Sequence, residues 1–271
     1  MNKFWPSFFI FWPIVAIVFC AMGPSYGWWF PSKSFSPLGQ EIDNLFYLIL
    51  VIVTVTFIGT HAAMGYALWK GSDDAKNPKA WFSHGSHNLE LLWSIAPAGI
   101  LMFISLYQMD VWMQFRVQTH FPGGVTPIAE VTARQFEWRI RYPAPGKELQ
   151  KTPQPDDIYT VNDLHVPINQ PVLIRFRSMD VQHSFFVPAL RVKQDAVPGN
   201  VIPIWFEVTA PGDYDLTCAE LCGWGHYKMR GRVLAENKTN YNNYLKTLQG
   251  EQNYDGVTAP KTTGAEIATK E

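Results

Sequence analysis

Charge is what this 271-residue chain has least of. Asp, Glu, Lys and Arg make up 17% of it, against roughly 25% in ordinary globular proteins. The net charge of −1 leaves no basic excess to neutralise a phosphate backbone, which excludes nucleic acid as a partner. Cysteine is scarce too. Cys20, Cys218 and Cys222 are too few for a disulfide scaffold, and only the last two are close enough in sequence to act together. The haem-attachment pattern C-x-x-C-H is absent, so no c-type cytochrome is fused to this chain. What is plentiful is apolar surface: 47% hydrophobic and 15% aromatic residues exclude an intrinsically disordered chain.

The charge deficit is uneven. Residues 1–116 hold 12 of the 45 charged side chains and residues 117–271 the other 33. Three apolar stretches occupy the first part, about 4–22, 45–69 and 91–112. Each is long enough to cross about 30 Å of hydrocarbon, which takes roughly 20 residues. Residues 4–22 also fit a signal peptide with a short charged start; the nearest small-x-small match, at Ala21-Met22-Gly23, precedes Pro24, which weighs toward a retained span. Asn88 is the expected N-cap of the third span and Glu90 falls in its first turn, where a carboxylate suits the helix dipole. Lys70, Lys76 and Lys79 lie between the second and third spans and only Lys33 between the first and second, so the positive-inside rule puts residues 70–89 in the cytoplasm and everything after Arg116 outside. Trp28, Trp29, Phe30 and Trp112 suit an interfacial aromatic belt.

From residue 128 the pattern changes to short strand-like runs at 128–142, 158–165, 172–177, 184–190, 201–208, 214–217 and 229–234, separated by Pro, Gly and Asp. That spacing indicates an all-β sandwich or barrel. Residues 143–157, with four prolines, read as a surface loop. The chain thus divides into a membrane domain (1–116), an extracytoplasmic β domain (117–236) and a polar C-terminal tail (237–271) with one short helix near 241–248.

The chemistry is concentrated in Thr217-Cys218-Ala219-Glu220-Leu221-Cys222-Gly223-Trp224-Gly225-His226-Tyr227-Lys228-Met229. Two thiols, an imidazole and a thioether stand at C-x3-C-x3-H-x2-M spacing. Soft sulfur with borderline imidazole suits copper, whereas zinc sites seldom use Met and calcium or magnesium prefers oxygen. His183, flanked by apolar residues at a strand start, is the best further donor. Each residue has a blander reading: a Cys218–Cys222 disulfide outside the cell, Met229 as core filler, His183 as a satisfied core histidine. The tight spacing of four donors of three types argues against all three together.

Over residues 40–235 the chain resembles subunit II of the haem-copper cytochrome c oxidases, and the C-x-E-x-C-G-x-x-H-x-x-M pattern carries the resemblance. It implies membrane helices followed by a cupredoxin-like Greek-key sandwich holding a binuclear copper centre, copper A. By that likeness Cys218 and Cys222 bridge both ions, His183 and His226 bind one each, Met229 completes one, and the backbone carbonyl of Glu220 the other. The Glu220 carboxylate would reach a magnesium ion shared with subunit I. Leu89-Glu90-Leu91-Leu92-Trp93-Ser94, followed by Pro97, resembles the start of the family's second helix, which implies that Glu90 stands at the mouth of a proton channel; a solvated helix-start carboxylate is the alternative.

The implied function is electron input: a c-type cytochrome delivers electrons to copper A, which passes them to haem in subunit I for O2 reduction coupled to proton translocation. The implied location is the bacterial inner membrane with the β domain on the periplasmic side. A quinol oxidase subunit is disfavoured because that branch lacks the copper ligands; a membrane-anchored copper carrier or storage protein is the alternative from a different class. Two departures stand out. Phe136 occupies the place where the family usually has an exposed Trp through which electrons enter, and Trp138, on the same face if the stretch is one strand, is the other candidate. Residues 117–271 contain 17 acidic and 16 basic side chains, giving no acidic field to steer a basic soluble cytochrome. A less basic donor, membrane-tethered or complex-bound, is expected.

Overall fold

A computed structural model describes residues 3–28, 33–71, 82 and 84–255. They form two compact units, one of residues Met1–Ser32 and Asp43–Trp112, the other of Lys33–Ile42 and Met113–Glu271. Lys76, Lys79, Trp29, Phe30 and the tail beyond Asp255 lie outside the described residues.

The first unit is built on α1 (Phe4–Met22), α2 (Pro37–Gly71) and α3 (His87–Tyr107). Each is long and apolar enough to cross a membrane. In the most apolar stretches of α2 and α3 no side chain is buried, an arrangement that water would penalise and lipid does not. Gly65 lets α1 approach α2 closely, since a Cβ there would sit 2.6 Å from Ile10 and 3.2 Å from the Pro6 carbonyl. Small residues serve this purpose where helices pack in lipid. α2 begins eight residues before the expected apolar run. Pro37 suits the first helical position, and Ser36 Oγ accepts from the Gly39 N–H at 3.5 Å. Hydropathy measures bilayer thickness, whereas caps decide where the helix starts. α3 starts at His87 with Ser86 as N-cap, not Asn88. The chain then breaks at Gln108 and continues as the short α4 (Met109–Arg116).

The second unit is a sandwich of two five-stranded sheets. One contains β1 (Ala129–Arg134), β2 (Glu137–Tyr142), β3 (Ile158–Val161), β5 (Pro171–Ser178) and β8 (Val201–Glu207), ordered β3-β2-β1-β5-β8. The other contains β4 (Asp163–Pro167), β6 (His183–Val187), β7 (Val192–Ala196), β9 (Gly212–Cys218) and β10 (Arg230–Glu236), ordered β4-β10-β9-β6-β7. β1 and β5 pair parallel, as do β4 and β10, and the other pairs are antiparallel. Strands that return to lie beside non-sequential neighbours make this a cupredoxin-like Greek key. The alternating burial along β5 and β10 is the period-two signature of strands with one face inward. Between the sheets, Trp138, Phe176, Phe185 and Phe206 form a chain of rings with centroids 5.7–6.4 Å apart. Each such ring contributes about 1.5–3 kcal/mol through burial.

Two expected runs prove to be two strands each. Residues 128–142 fold into the β1–β2 hairpin across a two-residue turn, Gln135-Phe136, which carries no Gly or Asn signal. Residues 158–165 split at Asn162, whose φ of +65° sends β3 into one sheet and β4 into the other. α5 (Lys238–Asp255) is ten residues longer than the short helix expected. Tyr241 and Leu245 are buried, and Gln252 brackets the Tyr159 backbone, accepting from its N–H and donating to its C=O.

Candidate metal centre

Three segments meet at one end of the sandwich: the start of β6, the end of β9 with the loop that follows it, and the β1–β2 turn. His183 opens β6 and Cys218 closes β9, and the strands pair two residues further on, Phe185 opposite Cys218. Both donors are therefore fixed by sheet hydrogen bonding. After Cys218 the chain turns through Gly223 (φ +130°), a conformation reserved for glycine. A single turn of 3-10 helix, His226–Lys228, leads back to Met229 and β10.

The nearest ligand atoms of His183, Cys218 and Cys222 lie within 4.8 Å of one another, and all three residues are buried. Around that core, His183 Nδ1 is 3.8 Å from Cys218 Sγ, His226 Nδ1 is 3.6 Å from Cys222 Sγ, and Met229 Sδ is 3.8 Å from Cys222 Sγ. The Glu220 carbonyl lies 3.2 Å from Cys218 Sγ. The two sulfurs are 3.8 Å apart, far beyond the ~2.05 Å of a disulfide but less than two metal–thiolate bonds of about 2.3 Å. One ion can touch both. Five side-chain donors and a carbonyl converge where Met229 is 1% and Cys222 3% exposed. That donor set, with His226 alone among the side chains half-buried, fits a soft metal.

Electrostatics already favour thiolate here. Burial works to raise the Cys218 thiol, but hydrogen bonds from His183 and the backbone outweigh it and bring it down to about 6. Burial, and then the charge on Cys218, push Cys222 up to about 12. The pair behaves as one thiolate and one thiol sharing a cavity. Burial opposes charge on His183 as well, yet Cys218 and Asp180 raise its pKa. His183 Nε2 bonds Asp180 Oδ1 at 2.8 Å, leaving Nδ1 toward the sulfurs. Such an outer carboxylate fixes ring orientation and increases ligand basicity. Asp180 in turn accepts the Gln135 N–H at 2.8 Å, and the Gln135 side chain donates to the Cys222 carbonyl. Gln135 and Asp180 were not singled out from sequence. The only signal was an Asp three residues before a candidate ligand.

The structure corrects the reading of Phe136 and Trp138. Phe136 is in the turn, not in a strand, so alternation does not put the two on one face. Trp138 is 0% exposed and packs inward against Phe176 and Phe185, so it offers no surface to a partner. Phe136 is half-buried, its ring against Gly223 and Gly225; a Cβ at Gly225 would come within 2.5 Å of it. Trp224 covers Phe136 edge-on at 5.2 Å and is itself 77% exposed. Glu90 lies in the first turn of α3, its carboxylate folded back over Gly85. Cys20 is exposed on α1 and free.

Two family descriptions match the chain: cytochrome c oxidase subunit II, transmembrane domain, over residues 25–111, and cytochrome c oxidase subunit II, periplasmic domain, over residues 141–235. The alternative cytochrome c oxidase subunit 2 of Bradyrhizobium diazoefficiens is 28% identical, over 86% of this chain and 90% of its own. Cytochrome c oxidase subunit 2 of Oenothera berteroana is 31% identical, over 76% of this chain and 82% of its own. Among solved structures, the periplasmic domain of subunit II of cytochrome oxidase from Bradyrhizobium japonicum is 25% identical, covering 45% of this chain and 93% of that one with a TM-score of 0.40. Membrane helices, a sandwich with a thiol–imidazole cluster at one end, and these sequence matches together make the chain a member of the cytochrome c oxidase subunit II family.

Proposed function

We propose that this chain is the electron-input subunit of its oxidase, with copper A held by Cys218, Cys222, His183, His226, Met229 and the Glu220 carbonyl. The observation that carries this reading is the 3.8 Å separation of two buried sulfurs with an imidazole beside each. Copper held by Cys218 and Cys222 with His183, His226 and Met229 would supply a one-electron store there. The protein's part is to hold donors still. His183 and Cys218 sit on paired strands, Asp180 sets the His183 ring, and Gln135 ties the Cys222 loop to the β1–β2 turn. A framework that barely moves keeps the cost of changing oxidation state low. Every donor comes from the chain, and His183, Cys218, Cys222 and Met229 are buried with His226 half-buried, so the site has no place for a substrate; O2 reduction belongs to subunit I. The same reading gives the Glu220 carboxylate to a magnesium ion at the subunit I boundary, Glu90 to the mouth of a proton path, the β domain to the periplasmic side, and a c-type cytochrome as donor.

The test is copper content of the full chain in detergent after loading and desalting. Two copper ions per chain, falling to none or to one weakly held ion in Cys222→Ser, support the reading, since a hydroxyl is a poor soft donor. One exchangeable ion in the native chain would point to copper carriage instead.

A further inference from the structure

The loop that carries Cys222 and His226 also presents Leu221, Trp224 and Tyr227, which are 77%, 77% and 76% exposed. Large apolar side chains bared this far on a soluble domain mark an interaction surface, and Trp and Tyr are the residues on which binding energy concentrates. These three are interleaved with the metal donors. Trp224 is two residues from Cys222 and two from His226, and its ring lies outside Phe136, which it covers. A partner approaching over this loop meets Trp224 before Phe136 and does not meet Trp138 at all.

The charges around it have a sign. Lys228 Nζ stands 4.5 Å over the Trp224 ring, and Arg134 and Arg230 are exposed on the same hairpin and loop ends. Of the carboxylates there, Glu137 is neutralised by Arg139 at 2.7 Å, Asp180 bonds His183 and Gln135, and Glu220 is half-buried on the loop, one negative charge against the three exposed cations. A basic haem edge would be repelled here, a neutral one would not, and an acidic one would be attracted.

Taking the cluster as the acceptor of electrons, we infer that Trp224, with Leu221 and Tyr227, is where the donor docks and where electrons enter, and that the donor is a c-type cytochrome whose haem edge is neutral or acidic. In the step itself one electron leaves the donor's ferrous haem, which becomes ferric, and reduces the copper pair by one. No bond is made or broken, and the indole ends unchanged.

The experiment uses the full oxidase in detergent with one basic soluble cytochrome c as probe, in native form and with its lysines succinylated to remove their charge. Affinity is measured for the ferric probe and rate for the ferrous probe by stopped flow, with copper content checked in every variant. Succinylation is expected to tighten binding. Trp224→Ala should weaken it about 30-fold or more, the loss of a single aromatic hot spot, with Trp224→Phe keeping part of it and copper content unchanged. Lys228→Glu should reverse the order of the two probe forms. Tighter binding of the native basic probe, a larger loss in Phe136→Leu than in Trp224→Ala, or a self-association of the oxidase that Trp224→Ala abolishes would overturn the inference. A chain without copper would overturn the reading beneath it, and the metal assay tells the two failures apart.

Discussion

The two halves of this molecule spend the same amino acids in opposite ways. In the membrane unit, Val55 of α2 and Leu101 of α3 are 64% and 65% exposed, and such positions recur along the helices. In the sandwich, Val131, Val172, Phe176 and Phe185 are 0% exposed. The helices satisfy their backbone internally and leave side chains for lipid; the strands must bury one face each to exist as a domain. Exposure therefore reports on solvent before it reports on importance, and Leu221, Trp224 and Tyr227 are informative because they are bared in the half that otherwise hides its aromatics.

The largest effect that sharpens this contrast is expected at Trp138. Trp138→Ala removes the central ring of the sandwich and should cost about 3–5 kcal/mol, a large share of a domain's usual 5–15 kcal/mol. The denaturant midpoint of the β domain in the full chain reads it; a loss below 1 kcal/mol would mean that the ring is not the keystone its burial implies. Next come two exposed valines. Val55→Lys should cost about 2.5–3.5 kcal/mol of membrane insertion, whereas Val161→Lys, 50% exposed on β3, should change stability by no more than about 0.5 kcal/mol. The inserted fraction and the unfolding midpoint give the two numbers. Equal costs would break the assignment of α2 to lipid.

The smallest effect is a pH dependence confined to the sandwich. His165 is buried and stacked on Tyr244 of α5 at 3.4 Å. Burial lowers its pKa from 6.5, and Glu236 only partly offsets that. The unfolded chain thus takes up the proton first, so this contribution is complete above pH 6.5 and is lost as pH falls below it. Melting temperature should decline between pH 7 and 5 with a slope that His165→Gln reduces. An unaltered slope would assign the acid sensitivity elsewhere.

Much of this was legible in advance for physical reasons. Apolar length gave three long apolar helices because the bilayer fixes it, and the spacing after Thr217 marked the loop whose two thiols meet the His183 imidazole. What escaped has reasons as well. The β1–β2 turn at Gln135-Phe136 lacks turn residues, so one run hid a hairpin and misdirected Trp138. β7, Val-Lys-Gln-Asp-Ala at a sheet edge, has little alternation to read. α5 is held by docking of Tyr241 and Leu245 rather than by a strong apolar stripe. Gln135 acts through hydrogen bonds to partners 45 and 87 residues away, which no local pattern announces, and Asp180 gave only its place three residues before His183.

The central claim is that two buried sulfurs 3.8 Å apart hold a pair of coppers rather than one ion or a disulfide. Electron paramagnetic resonance of the copper-loaded full chain tests it most directly. A mixed-valence spectrum split by two equivalent copper nuclei, absent in Cys222→Ser, is the predicted result; a mononuclear signal, or a metal-free chain with Cys218 bonded to Cys222, would contradict it.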